Sequence, residues 1–451
     1  MMKNWGKIVF VLLVLIGCNR AVLPIERLKN AEKNIRMQQV DLFGQNKDVQ
    51  NFYIKNKRIV VWKDSLHRAE LISAIIDSQY DGVLLENYPL GKLIFAHQHY
   101  EQLRTFELIR ADLGFSEAFF KIAHQLAYGK VNPKIIHRDW EPFLPAIKPL
   151  EVLLNQALET GDVYETLKNL KPKNIHYYQY KKAFEPFVPV VFKDTLTAEG
   201  KLLQKIWVNL ERSKWLPDDL GEHYVWVNLP EFQLYFVKNG SLSTTHKVIV
   251  GKSDRRTPVL SSSFNGIIFN PRWTVPPTIL KEDIVPKATN DRSYFETNRL
   301  AIFHKETGKS IAPEDWIPEN YTSYRYVQKT GRLNSLGQVK FDFPNDHMVY
   351  LHDTNNRLMF NYKNRALSSG CIRVEHPFDL AEAILEIEKI DVQRSEIDTL
   401  VQRETTKSFK LKQRVNVHQV YFTAVIDTVG NIKLYDDIYS LDEVLYRELI
   451  N

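Results

Sequence analysis

Residues 365–377 read RALSSGCIRVEHP, and the cysteine at the centre of this stretch, Cys371, is one of only two in 451 residues. A free thiol is only a few per cent thiolate near neutrality, so a working cysteine needs a base or a positive field. His352 ends the apolar, strand-like run 347–352, nineteen residues earlier, which suits delivery of an imidazole to the rim of a site. His376 is nearer in sequence, but it precedes Pro377 at a helix start, where it is expected to point outward. Gly370 removes a side chain beside the thiol and lets the backbone approach a substrate carbonyl, with turn N–H groups available for an oxyanion. Arg373, two residues on, is placed to grip a carboxylate through both guanidinium arms. This spacing reads as a Cys-His acyl-transfer site, with a buried structural cysteine as the alternative.

The N-terminus bears on that choice. Lys3 and Lys7 precede the apolar run 8–16, which is too short to cross a bilayer comfortably and suits a signal peptide. It ends in Leu15-Ile16-Gly17-Cys18, similar to a bacterial lipobox, where the cysteine is acylated. An uncleaved anchor with an incidental Cys18 is the alternative. Either way the chain is expected to be exported and held at a membrane face. Once Cys18 goes to lipid, Cys371 has no disulfide partner, and an unpaired thiol in an oxidising compartment points to chemistry.

The remaining composition is that of a globular protein, 44% hydrophobic and 25% charged, and the length implies two or three domains. The net charge of +6 is spread over intermixed signs, so no nucleic-acid surface is expected. Residues 40–185 read as helical: Ser116 is placed as an N-cap, with Phe115 stapled against Phe120. Further helices open at Pro149 and at Asp162. After about residue 222 the period changes to strands, with Asn239-Gly240 marking a hairpin. Residues 276–348 are polar, aromatic and irregular, lack a core stripe and read as a flap over a site. A helix over 377–390 and strands over 417–427 and 432–435 complete the pattern.

Three motif-like fragments are set aside. Gly251-Lys252-Ser253 lacks the first glycine of a phosphate loop, and His137-Arg138-Asp139 lacks the rest of a kinase catalytic loop. His97 and His99 have no third ligand nearby, so no metal site is expected.

The runs His352-Asp353-Thr354 and 368–374 (SSGCIRV) resemble the signature of the L,D-transpeptidases with a YkuD-type catalytic domain. The stretches 207–217 (WVNLERSKWLP), 248–252 (VIVGK), 270–276 (NPRWTVP) and 337–341 (GQVKF) resemble its large, multi-domain YcbB-like subfamily. Residues 115–133 are similar to that subfamily's scaffold and 421–439 to its C-terminal segment. The resemblance implies an α+β fold, with a mixed β-sandwich catalytic domain carrying a capping insertion beside a helical scaffold. Its boundaries would be a signal peptide at 1–18, a linker at 19–40 and a scaffold at 41–221. The catalytic domain would cover 222–397, with the cap at 276–348, and a C-terminal segment would cover 398–451. The span 183–202 is too short for the subfamily's separate peptidoglycan-binding module. The residue before Gly370 is Ser369, where many smaller relatives have His, which leaves His352 as the base.

The implied chemistry is attack by Cys371 on a peptidoglycan tetrapeptide stem, release of D-alanine, and resolution by a side-chain amine of a neighbouring stem. A 3→3 cross-link results. Asp353 would orient His352, while Ser369, Tyr350 and Trp273 would contact substrate along with Arg373. No cofactor is implied, and a monomer facing the periplasm from a lipid anchor is expected. Hydrolysis or D-amino-acid exchange at the same thioester, and a non-catalytic wall-anchoring lipoprotein, remain as alternatives.

Overall fold

The structure, a computed structural model, describes residues 34–188, 197–390, 392–427 and 429–451. The expected signal peptide, Cys18 and most of the 19–40 linker lie outside the described residues. Among those residues, no helix is long and apolar enough to cross a membrane.

The N-terminal half is helical and has its own core. Helices Lys47–Lys55, Ser65–Asp77, Thr105–Tyr128 and Leu150–Thr160 surround fully buried Phe52, Trp62, Phe115 and Phe119. The helix start expected at Ser116 is not one. The apolar stripe already begins at Leu108 and Ile109, and a single 24-residue helix runs from Thr105 to Tyr128. Ser116 sits in its middle, fully buried, and its hydroxyl is satisfied from another direction by Tyr53 Oη (2.7 Å) and Trp62 Nε1 (2.8 Å). The helix expected to open at Pro149 does so, and Gly161 closes it in the left-handed region at φ 77°.

Two further helices, Ile175–Phe184 and Ala198–Ser213, leave this core and lie on the sheet of the C-terminal half. His176 stacks on Trp226 at 4.4 Å, and buried Arg212 meets Asp442 at 2.6 Å. Within the scaffold drawn over 41–221, the core of the helical layer ends near Leu167, and the helices after it pack on the sheet.

That sheet begins with β1 (His223–Asn228), β2 (Gln233–Lys238) and β3 (Ser241–Gly251). Asn239 and Gly240, at φ 50° and 71°, make the expected tight turn between β2 and β3. β4 (Leu260–Ser263) and β5 (Gly266–Phe269) follow. A second, four-stranded sheet comes next, from β6 (Trp273–Thr274), β7 (Leu300–His304), β8 (Ser310–Ile311) and β9 (Tyr324–Gln328). The chain then returns through β10 (Val339–Asp342), β11 (Leu351–His352), β12 (Ala366–Ser368) and β13 (Ile372–Val374). After the helix Pro377–Ile387 it ends the sheet with β14 (Lys407–Lys410) and β15 (Asn416–Val420).

The main sheet has 11 strands in the order β14-β5-β10-β11-β13-β3-β2-β1-β15-β4, with β12 alongside β3. It is mixed: β1/β15, β11/β13 and β12/β3 are parallel pairs. The two-residue link Phe264-Asn265 joins β4 at one end to β5 near the other, so one continuous sheet curls over itself into two layers. Phe264, Phe341 and Phe343 meet between those layers. The overall class is α+β, as expected.

One boundary is corrected by this topology. The C-terminal segment drawn from 398 adds β14 and β15 to the main sheet. The insertion drawn over 276–348 is too wide at its C-terminal end, since β10 pairs with β5 and β11 in the main sheet. Nor is the insertion irregular. Residues 273–336 form a subdomain with its own core, centred on fully buried Trp316 and Phe295. Trp316 Nε1 donates to Tyr326 Oη at 2.7 Å. The core was hidden in the sequence because it is aromatic and assembled across short strands, not along one periodic stripe.

Candidate active site

Pairing and alternation build the site. β11 and β13 are parallel neighbours with His352 opposite Arg373 and Leu351 opposite Ile372. Side chains alternate across a sheet, so fully buried Leu351 and Ile372 face the core. His352 and Arg373 then share the other face, together with Tyr350 and Cys371, each two positions earlier on its strand. The Ile372 N–H donates to the Tyr350 carbonyl at 3.1 Å, continuing the ladder to that position. The four residues line one cleft of ≈ 1030 Å³, with Ser369, Gly370 and Trp273 on its walls.

The turn carrying the thiol is held from below. Gly370 is in a conformation, φ 115°, that side-chain-bearing residues rarely adopt. Thr257 Oγ1 donates to its carbonyl (2.8 Å), and Ser368 Oγ donates to the Cys371 carbonyl (2.6 Å). The Gly370 N–H donates to Ser368 Oγ at 3.1 Å, so it is already used. The oxyanion role expected of Gly370 is thus corrected to a conformational one. The Cys371 N–H, which bonds nothing among the described residues, is a free donor in the turn.

Asp353 needs a second correction. Its carboxylate turns away from the imidazole: Oδ2 accepts from the Gln338 N–H (2.9 Å) and meets Arg357 at 3.3 Å. Gly337, at φ 60°, is required where it is because a Cβ would lie 2.4 Å from that carboxylate. Asp353 acts on His352 only through backbone, and its side chain locks the turn leading into β10. It does not line the cleft.

The electrostatics set the resting protonation state. Burial, followed by the Arg373 charge, lowers the His352 pKa to about 3, against opposing hydrogen bonds to backbone at Asp353 and Leu336. Nδ1 of His352 is buried with no hydrogen-bond partner among the described residues. Burial raises the Cys371 thiol, with Tyr350, Lys340 and Arg373 pulling it down. Burial raises Tyr350 as well, so it stays a hydroxyl beside the sulfur. At rest the site therefore holds a neutral thiol and a neutral imidazole with a free lone pair. Arg373 donates a hydrogen bond to Met359 Sδ (3.4 Å), its Nε is unsatisfied, and it pairs with no carboxylate among the described residues. A thiol, a base and an unpaired cation on one face can carry acyl transfer from a substrate that bears a carboxylate. Exposed His376 stands at the start of the helix Pro377–Ile387, at φ 50°, outside this cleft.

Other parts of the cleft were not found by sequence reasoning. Arg255, after β3, grips Asp283 and Glu282 of the insertion and donates to Ser369 Oγ (3.0 Å). The tripeptide His137-Arg138-Asp139, set aside as a kinase decoy, lines the cleft from the helical half with Arg256. Gly251, set aside as a phosphate-loop decoy, lies under the Arg255–Thr257 backbone. A signal for the first pair existed in principle, as Arg255-Arg256 is a charge doublet after a buried strand. The approach of residue 137 to residue 256 had none. Among the described residues, no group of His, Cys, Asp and Glu could hold a metal ion.

Residues 222–401 match the family model for the L,D-transpeptidase catalytic domain, and residues 47–184 match one for a scaffold domain. A Haemophilus influenzae protein named "Putative L,D-transpeptidase" is 33% identical over 298 residues, which is 65% of this chain and 58% of that one. The chain thus matches little more than half the length of that curated relative. A solved structure described as the Ldtfm-avibactam carbamoyl enzyme aligns at a TM-score of 0.22 and 10% identity, over 45% of this chain and 50% of that one. That likeness carries no argument.

Proposed function

We propose that this protein, whose residues 222–401 match the family model for the L,D-transpeptidase catalytic domain, is a peptidoglycan L,D-transpeptidase that forms 3→3 cross-links. The observation that carries this reading is the shared face of Cys371, His352 and Arg373, a nucleophile, a free base and an unpaired guanidinium in one cleft. Arg373 takes a carboxylate of the tetrapeptide donor and sets its scissile carbonyl over the sulfur. As sulfur attacks, its proton passes to His352 Nδ1, and the oxyanion forms at the Cys371 N–H. Collapse breaks the amide bond, and His352 returns the proton to the departing D-alanine amine. The thioester is then attacked by a side-chain amine of a second stem. His352 accepts that amine's proton and passes it to the released thiolate.

The neutral resting pair fits this sequence. A thiol with a raised pKa and an imidazole with a lowered one do not exchange a proton until the sulfur's charge is moving onto substrate. The cap acts as a lid that keeps water from the thioester, anchored by Arg255. Residues 1–18 would export the protein and anchor it through Cys18, so that it acts from a membrane on the periplasmic side. Metabolic labelling with a fatty-acid probe, lost in Cys18→Ala, is the expected result, and label retained in that variant would refute it.

Incubation with disaccharide-tetrapeptide tests the main reading. The expected products are free D-alanine and a dimer with one D-alanine lost. Tripeptide alone would reassign the protein as an L,D-carboxypeptidase. Absence of any D-alanine release would leave the wall-anchoring reading in its place.

A further inference from the structure

Two stems must reach the same thioester, yet Arg373 accounts for one of them. Against the nucleophile turn lies the segment 255–257, whose backbone comes within 3.5 Å of where a Cβ on Gly370 would be, at the Arg256 carbonyl. The Arg256 side chain is held in place but not neutralised. Its Nε donates to the Ser253 carbonyl (3.0 Å) and its guanidinium lies 5.4 Å from the Tyr439 ring centre. It makes no ion pair among the described residues.

Facing it is the helical half. Asp139 N–H donates to His137 Nδ1 (3.2 Å), which leaves the other ring nitrogen as the donor of a neutral imidazole. Arg138 is 90% exposed, and its Nε pairs with the Asp139 carboxylate at 3.5 Å, a solvent-exposed ion pair worth little on its own. This loop is fixed to the sheet half just beyond the cleft: Glu141 N–H donates to the Val259 carbonyl (2.8 Å), Glu141 also meets His347 (2.8 Å), and buried Trp140 packs on Trp215. The wall therefore carries the Arg138 and Arg256 guanidiniums beside one carboxylate, Asp139, and through the Arg256 carbonyl it abuts the turn that holds the thiol.

We propose that His137 and Arg138, with Arg256, form the subsite that holds the carboxylates of the incoming acceptor stem. The ligand class is an acidic peptide whose nucleophilic amine lies a few atoms from a carboxylate. The inference rests on the transpeptidase reading and deepens it, giving the helical half a share in the reaction.

The test uses the full chain, a tetrapeptide donor and a separate acceptor stem, with D-alanine release and dimer formation measured independently. In Arg138→Ala/Arg256→Ala the KM for acceptor should rise about tenfold or more, as for loss of charge-assisted hydrogen bonds. Single-turnover D-alanine release should change by less than about twofold, because the donor is held elsewhere. Arg256→Lys should recover part of the loss. An acceptor with amidated carboxylates should bind wild type and double variant equally poorly. If the double variant does not fold, Arg138→Ala alone, at an exposed position, should still raise the acceptor KM by about threefold. An unchanged acceptor KM, or a parallel fall in donor acylation, overturns the subsite and leaves the function standing. If wild type releases no D-alanine at all, the parent reading fails and this one falls with it.

Discussion

Acid should destabilise the protein through His352 over a definable range of pH. The ring titrates at about 3 in the folded state against an ordinary 6.5, held down first by burial and then by Arg373. Between those values the unfolded chain carries a proton on this ring and the folded chain does not. Unfolding then takes up a proton, so stability is complete above 6.5 and drains as the pH falls towards 3. Each unit is worth about 1.4 kcal/mol, so by about pH 5 the loss from this residue is roughly 2 kcal/mol. His352→Gln stays neutral and lacks the effect. Other histidines held neutral by burial, such as His176 and His418, remain in both proteins and cancel in the comparison. Urea unfolding of wild type and variant at about pH 7 and about pH 5 gives the difference directly. Wild type should lose about 2 kcal/mol more than the variant. Parallel losses would refute the neutral, buried imidazole, and with it the resting state on which the mechanism is built. The same reasoning predicts that Cys371 acylation shows no acid limb near pH 6.5, since the base is already unprotonated there.

Cys371→Ala should lower D-alanine release by at least about 10³-fold while the fold persists. A carbapenem, whose carbonyl imitates the scissile amide, should add its mass once to wild type and not to that variant; an adduct on both would place the nucleophile elsewhere. Gly251→Ala would put a Cβ 2.2 Å from the Arg255 carbonyl oxygen and 2.6 Å from the Thr257 nitrogen, both backbone. A loss of about 1–3 kcal/mol or more is expected, read as a lower melting temperature and slower acylation, because Thr257 also supports Gly370. A wild-type melt and rate would contradict it. Arg255→Ala cuts the attachment of the cap to the nucleophile wall and should shift products from dimer towards tripeptide, with Cys371 still acylated. An unchanged dimer-to-tripeptide ratio in the folded variant would remove the lid role.

What was legible in the sequence followed from local rules. His352 and Cys371 were readable because a strand end and a glycine turn are local features, and because a chain expected to be exported would have little use for a lone thiol. The Asn239-Gly240 hairpin and the Pro149 to Gly161 helix were legible for the same reason. Ser116 misled because an N-cap residue and a buried helical serine look alike until Tyr53 and Trp62, more than 50 positions away, come into contact with it. Asp353 misled in a similar way, since its neighbour in sequence is His352 but its partner in space is Gln338. Continuity of the sheet was invisible too: β15 lies beside β1 although nearly two hundred residues separate them, and no periodicity encodes that pairing. The cleft combines both kinds of information. Its chemistry sits on two short strands whose alternation can be read from sequence, whereas its far wall is brought by a helical half anchored through Trp140 and Glu141. A motif search sees the first and discards the second, as it did with His137-Arg138-Asp139. Residues that bind rather than react are therefore to be sought in what the fold carries up to the nucleophile, and the cations at 138 and 256 are where that search leads.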